Sequence, residues 1–369
     1  MKSGWVTKKL GEVCELINGK NQSEVSDPNG KYPIYGSGGV MGHATDYRCP
    51  AGCTIIGRKG SINNPIFVNE KFWNVDTAYA LSPKGVNEKW LFYFCRSFDF
   101  SALDCGTTIP SLTSTLVKNI DIPIPPLAEQ KRIVAKIDAA FEKIDALKAN
   151  AEKNLANAKE LFQSALDEAM RPKPGWVEKR LGEVCEGKLS YGTSSPSKGY
   201  DARVRYIRIT DIDDNGRLLN DLVSPKEYES KHVLEDGDLV FARTGATVGK
   251  SYMYSPSDGA CVYAGYLIRA RVDQSIIRPK YLFYFTKTSR YKLFIQQSQA
   301  AAAQPNVNAE KYSNMLVPIP PVHEQDEIVS CIGRAQGLSI QLQQNYSQQI
   351  SDCAEMRQAI LREAFEGRL

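Results

Sequence analysis

The chain has 369 residues, 42% hydrophobic and 24% charged, with 46 Lys and Arg against 42 Asp and Glu for a net charge of +4. That length exceeds what one hydrophobic core usually serves, so two or more domains are expected. There is no run of eighteen apolar residues and no signal-like apolar stretch at the N-terminus, which excludes a membrane-spanning helix and points to a cytosolic protein.

From the N-terminus, the first recognisable element is GWVTKKLGEVCE (Gly4–Glu15). It returns as GWVEKRLGEVCE (Gly175–Glu186), with ten of twelve positions identical at an offset of 171. The chain is therefore an internal repeat. Short β-like runs follow at Thr54–Ile56 and Ala78–Leu81, bounded by Gly, Asn, Asp and Pro, and a helix is expected over Lys89–Phe98. Within these stretches Arg58 and Gly60 align with Arg243 and Gly245 at offset 185, and WLFYF (Trp90–Phe94) aligns with YLFYF (Tyr281–Phe285) at 191. Pro110 and Asn119 match Pro305 and Asn314 at 195, and PIPPLAEQKRIV (Pro123–Val134) matches PIPPVHEQDEIV (Pro318–Val329) at the same offset. The anchors are shared while the interiors differ in length, which suits one scaffold carrying two specificities.

Beyond Pro125-Pro126 the apolar positions step by four and three through Ile133, Ile137, Ala140, Ile144, Leu147, Ala151, Ala158, Leu161 and Ala165. This is a heptad helix of about 40 residues, a rod of roughly 60 Å. Arg171-Pro172-Lys173-Pro174-Gly175 ends it. In the second copy, strands are expected at Tyr206–Ile209 and Leu239–Phe241 and a helix over Pro279–Gln297. After Pro320-Pro321 the heptad register recurs at offset 195, through Ile328, Ile332, Ala335, Ser339, Leu342, Tyr346, Gln349, Cys353, Met356 and Ile360. Small residues at the seam permit close approach, and the natural partner of each helix is the other copy's helix.

Charge is unevenly spread along the chain. Residues 1–127 carry 13 Lys and Arg against 11 acidic residues and 171–322 carry 22 against 16, whereas 128–170 hold 7 against 8 and 323–369 hold 4 against 7. Positive charge sits in the two large segments, which suits a phosphate-facing surface. Nine cysteines, an odd number among aliphatic neighbours, fit reduced thiols, and Cys49 with Cys53 has no second pair or nearby histidine to complete a metal site. Asn64-Pro65-Ile66-Phe67 lacks the second proline of an amino-methyltransferase loop. Gly245–Ser251 resembles a phosphate-binding loop, but Thr244 stands where its first glycine belongs. With only His43, His232 and His323, and no nucleophile motif beside them, no catalytic residue and no metal site are assigned.

The ordered set YPIYGSGGVMGHATDY (Tyr32–Tyr47), IIGRKGSINNPIF (Ile55–Phe67), WNVDTAYAL (Trp73–Leu81), GDLVFARTGATVGK (Gly237–Lys250), QPNVN (Gln304–Asn308) and both PIPPxxEQ turns resembles the specificity subunit of type I restriction-modification systems over essentially the whole chain. The resemblance implies an α+β fold in which two mixed α/β target recognition domains are joined by two long helices forming an intramolecular antiparallel coiled coil with pseudo-two-fold symmetry. It implies recognition domains over residues 1–127 and 171–322 and spacer helices over 128–170 and 323–369. It further implies a non-catalytic subunit that reads a split double-stranded DNA sequence, one half per domain, docks two methyltransferase subunits through its helices and is joined by restriction subunits. S-adenosylmethionine and ATP are then expected on the partners, with no cofactor in this chain. The other readings left open are a coiled-coil interaction scaffold that binds protein and a self-sufficient modification enzyme.

Arginine and lysine can donate to the major-groove edge of guanine, and asparagine or glutamine can pair with adenine. On that basis the DNA-binding candidates are Arg58, Lys59, Asn63, Asn64, Thr108 and Ser111 in the first copy, and Arg243, Thr244, Thr247, Lys250, Gln304, Asn306 and Asn308 in the second. The spacer-helix candidates are Ile137, Ile144, Leu147, Leu161, Ile332, Leu342, Tyr346, Met356 and Ile360.

Overall fold

In a computed structural model, which describes residues 4–300 and 306–369, the chain divides into two compact units. One runs to Lys153 and takes in Ser347–Leu369; the other is Asn154–Tyr346.

In the first unit β1 (Val6–Lys9) pairs antiparallel with β9 (Asp121–Ile124), so the repeated opening motif is held against the strand that leads into the PIPP turn. The one-turn helix α1 (Leu10–Val13) follows β1, with Glu12 accepting from the Lys9 amide. A four-stranded sheet has the order β2 (Cys14–Asn18), β8 (Ala78–Pro83), β5 (Cys53–Gly57), β6 (Ile66–Val68). A three-stranded sheet has the order β4 (Gly39–Ala44), β3 (Tyr32–Gly36), β7 (Trp73–Asn74). The central strand β5 is buried along its whole length, as its apolar run predicts. Helix α2 (Glu88–Ser97) starts at Asn87, whose side chain accepts from the Trp90 amide, and α3 (Ser114–Lys118) is capped by Thr113. Trp90 is fully buried, with its ring 5.7 Å from Trp5 and 4.5 Å from Phe365.

The second unit repeats this plan. β10 (Val177–Arg180) pairs with β19 (Leu316–Ile319), and a four-stranded sheet has the order β11 (Ser190–Tyr191), β18 (Leu267–Ala270), β15 (Leu239–Ala242), β16 (Ser251–Met253). Two further pairs are β12 (Ser197–Gly199) with β14 (Val223–Pro225), and β13 (Arg205–Ile207) in parallel with β17 (Cys261–Tyr263). The strand expected to reach Ile209 stops at Ile207, because the Arg208 amide and guanidinium both bond the Asp211 carboxylate and wind the chain into a 3-10 turn. The single helix expected over Pro279–Gln297 is two, α5 (Pro279–Phe285) and α6 (Ser289–Ala300). Thr286 and Thr288 donate their hydroxyls to the carbonyls of Phe283 and Phe285, and Thr288 then accepts from the Tyr291 amide, so the break is capped on both sides. Helix α7 (Ala309–Ser313) starts at Asn308.

Two long helices complete both cores: α4 (Leu127–Ala169, 43 residues) and α8 (Val322–Phe365, 44 residues). Each begins directly behind its Pro-Pro pair, six residues earlier than the heptad pattern at Ile133 and Ile328 shows. In the first unit Arg357 of α8 pairs with Asp145 of α4, and Arg132 donates to the Leu369 carbonyl at 2.7 Å. Residue numbers fall in α4 as they rise in α8, so the helices pair antiparallel. In the second unit the order is the same: the Ser339 hydroxyl donates to the Ala158 carbonyl at 3.1 Å, while Leu166 and Met170 share a core with Ile328 and Ile332.

The buried seam is narrower than the heptad pattern suggests. Ile137, Ile144, Ala151 and Ala158, one residue per heptad, are buried in α4, with Ile332, Ser339 and Cys353 in α8. Tyr346 and Ile360 are half-buried, and Leu147, Leu161, Leu342 and Met356 are exposed. Small seam residues let two helices meet along a single stripe, which leaves the second apolar position of those heptads outside it.

The glutamines of the PIPPxxEQ turns explain why that motif recurs. Gln130 is buried; its carbonyl accepts from the Asn87 amide at 2.8 Å and its amide donates to the Pro125 carbonyl at 2.8 Å. Gln325 accepts from the Arg278 amide at 2.7 Å and donates to the Ile276 and Pro320 carbonyls, each at 2.9 Å. Each side chain ties the start of a long helix to the loop entering an earlier one, α2 for Gln130 and α5 for Gln325. Without it, buried backbone groups there would go unpaired.

Candidate nucleic-acid interface

Both units build the same junction from unlike residues. In the first, β5 ends at Gly57 and Arg58 follows; its amide donates to the Thr77 carbonyl at 2.8 Å, and its own carbonyl accepts from the Leu112 amide at 2.8 Å. Lys59 bridges to Ser111, so the turn before β8, the end of β5 and the loop before α3 meet at one arginine. In the second, the Arg243 amide donates to Tyr266 O at 3.1 Å, Val307 donates to Arg243 O at 2.9 Å, and Thr244 bridges to Asn306. Gly19 and Gly192 stand at the same point of each unit. A Cβ on the first would lie 1.7 Å from the Val75 carbonyl oxygen and on the second 2.1 Å from that of Tyr263, so only glycine allows the approach.

The side chains around this shared frame differ. Arg58 donates to the Asp76 carbonyl at 3.2 Å, with its guanidinium 6.0 Å from the Tyr79 ring centroid. The Arg243 guanidinium lies 4.9 Å from the ring of Tyr191, and its buried Nε has no hydrogen-bond partner among the described residues; the buried Oδ1 of Asn306 has none either. Lys59 is exposed, and Thr108 stands at the exposed tip of a loop closed by Asp104. The Asp104 carboxylate accepts from the Gly106 and Ser111 amides, which hold its pKa below the usual carboxylate range.

Other candidates are engaged in holding the loops. Asn63 accepts from the Phe100 amide and donates to Asp99 at 2.9 Å, fastening its loop to the end of α2, while Asn64 beside it is exposed. Thr247 donates to the Thr244 carbonyl, Asn308 caps α7 through the Lys311 amide, and Lys250 pairs with Asp214 at 2.9 Å. Gln304 lies outside the described residues. Within the Gly245–Ser251 loop, the Val248, Gly249 and Lys250 amides donate to the carbonyls of Gly245, Ala242 and Thr247. Those three amides turn back onto the loop and the end of β15, so they are not free to cradle a phosphate.

Residue patterns missed two exposed aromatic groups at the junction. Tyr266 is 59% and Tyr191 41% exposed, and both flank Arg243. Their counterparts in the first unit are Thr77, which occupies the same hydrogen-bonded position, and Asn18, the last residue of β2. The pairing of Gly19 with Gly192 was the available signal, since it aligns Asn18 with Tyr191.

Cys49 and Cys53 are buried in the first unit. Burial raises the Cys49 thiol to about 12 and the Cys53 thiol to about 11. Among the described residues no cluster of three or more His, Cys, Asp or Glu side chains is placed to hold a metal ion, and no helix is long and apolar enough to cross a membrane.

The family described as Type I restriction modification DNA specificity domain matches residues 2–157 and again residues 173–351. The EcoDI specificity subunit of Escherichia coli, a type I restriction enzyme subunit, is 20% identical over 401 residues, covering 99% of this chain and 88% of that protein. Among solved structures, one chain from work on assembly and conformational transition of the type I R-M system has a TM-score of 0.82 at 23% identity, covering 100% of this chain and 99% of its own. The HsdS subunit of Thermoanaerobacter tengcongensis has a TM-score of 0.63 at 22% identity, covering 100% and 98%.

Proposed function

The chain belongs to the family of type I restriction modification DNA specificity domains, and from that premise we propose that each unit reads one half of a split double-stranded DNA target. The observation that carries this reading is the duplicated junction, one backbone frame around Arg58 and Arg243 with unlike side chains exposed beside each arginine. A shared frame with varied tips is what two readers of two different half-sites require. The gap between the half-sites is set, in this reading, by the paired helices.

The same reading gives the helices a docking role. Leu161 and Leu342 line a shallow cavity of about 450 Å³ on the second unit. Their repeat equivalents at offset 195, Met356 and Leu147, are exposed on the first. Two equivalent apolar sites suit two copies of one partner, and we assign them to methyltransferase subunits, with restriction subunits joining the full complex. S-adenosylmethionine and ATP chemistry then belongs to those partners and the complex works in the cytoplasm; this chain supplies recognition and no catalytic residue.

Co-expression of the chain with its methyltransferase partner and mapping of modified adenines tests the reading. The expected map is a two-part motif with a fixed gap. Arg243→Ala and Tyr266→Ala are each expected to relax one half-site only, at a cost of about 1–3 kcal/mol where a bidentate pairing with a base is removed. Equal losses at both halves would show that the units do not read separately.

A further inference from the structure

On the second unit an open cavity of about 860 Å³ lies behind the hairpin that carries Arg243. Lys159 and Gln163 of α4, Lys250 at the hairpin's return, and Lys287 and Lys292 around the α5–α6 break all line it, over a floor that includes Phe283. Lys250 is neutralised by Asp214. The Lys292 ammonium donates to Gln163 Oε1 at 2.7 Å, and that of Lys287 faces the carbonyls of Ser251 at 3.3 Å and Asp214 at 3.5 Å. Among the described residues Lys159, Lys287 and Lys292 form no ion pair within 4 Å; Asp213 and Asp214 offset Lys287 in part, while Lys159 and Lys292 stand at the cavity without a paired carboxylate.

The repeat shows that the fold does not need them. At the equivalent positions of the first unit stand Ala354 for Lys159, Pro65 for Lys250, Arg96 for Lys287 and Ser101 for Lys292, at offsets of 195, 185, 191 and 191. The cavity there is about 280 Å³ and Asp99 lines it. One frame thus closes well with a single cation, whereas the second unit has gathered four. Like charges brought together in a partly desolvated site raise the free energy unless an anion joins them.

The hairpin points to which anion. The Ala242 amide donates to the Lys250 carbonyl at 2.8 Å, so Lys250 sits opposite the residue next to Arg243, and the cavity and the reading junction share one turn. We propose that this cavity holds phosphates of the DNA backbone, gripping the duplex on the second unit without reading its bases. The inference rests on the DNA-reading role proposed above. The phosphate grip comes from side chains, and the Val248, Gly249 and Lys250 amides are already bonded to the carbonyls of Gly245, Ala242 and Thr247. Burial, opposed by Asp213 and Asp214 and aided by Lys292 and Lys250, pushes the Lys287 ammonium down to about 8, so its charge fades with rising pH unless a phosphate holds the proton on.

The test measures duplex affinity of the full chain, in complex with its methyltransferase partner, across a series of salt concentrations. The double substitution Lys159→Gln with Lys292→Gln is expected to flatten the slope of log affinity against log salt by about 0.9 for each phosphate no longer neutralised. It should weaken target and non-target duplexes by the same factor and leave the methylated motif unchanged. The charge-conserving Lys159→Arg with Lys292→Arg should restore the slope, and an unchanged thermal midpoint in both variants would show that they fold. Raising the pH through about 8 should weaken the parental complex and weaken Lys287→Met less. A parental slope in the double variant, or a loss confined to the target sequence, overturns the phosphate site alone. A parental complex that binds duplex DNA without salt dependence overturns the reading role and the phosphate site together.

Discussion

Excising residues 149–155 together with 344–350 is expected to abolish modification at the parental target while leaving both half-sites unchanged. Seven residues taken from each helix keep the seam in register, since Ile144 then meets Ala158, and Ser339 meets Cys353, at the old spacing of seven. About 10 Å of each helix is removed, close to three base pairs of duplex at about 3.4 Å each. The helix pair turns by only about 20° per heptad, whereas three base pairs turn the DNA by about 100°. The parental spacing is therefore wrong in both length and phase. Mapping of modified adenines should show the old motif gone and any surviving motif about three base pairs shorter in its gap. An unchanged gap would mean that the helices do not measure it.

A second large effect is expected from Gln325→Leu, which keeps the side-chain volume and removes three hydrogen bonds to backbone groups. The Arg278 amide and the carbonyls of Ile276 and Pro320 would be left without this partner at a fully buried point. At about 1–3 kcal/mol for each buried group left unpaired, the loss is several kcal/mol. The thermal midpoint should fall on the order of 10 °C for a unit of this size. Gln130→Leu strands two groups, the Asn87 amide and the Pro125 carbonyl, and its fall should be smaller. Thermal unfolding of the purified chain followed by circular dichroism measures both. A midpoint within about 2 °C of the parent for Gln325→Leu would show that water or backbone movement replaces the glutamine.

Sequence made the architecture readable wherever a repeat or a period was enforced by packing. The heptads of α4 and α8, the buried strand β5 and the doubled PIPPxxEQ turns all leave such traces. It was least informative where one hydrogen bond decides the path, as when Asp211 ends β13 or Thr286 and Thr288 split a helix. The seam is narrower than the pattern for a related reason: an apolar residue every three or four positions marks a helix face, yet Leu147 and Leu161 are exposed because Ala151 and Ala158 already bring the partner helix close. At the junction, Arg58 and Arg243 stood out because both copies keep them. Tyr191 and Tyr266 did not, because the other copy has Asn18 and Thr77 at those positions.

Each unit's core is closed by a helix end that belongs to the other repeat, and this orders events during synthesis. Trp90 and Phe94 pack against Phe365, with Leu361 and Ala364 in the same core. A ribosome that has just finished Lys153 still has about 210 residues to make before Phe365 emerges, roughly 10–40 s at ordinary bacterial rates. Throughout that interval the first-made unit keeps an aromatic face uncovered, so its nascent form is a natural client for chaperones, and truncation ahead of Leu361 damages the unit that was made first.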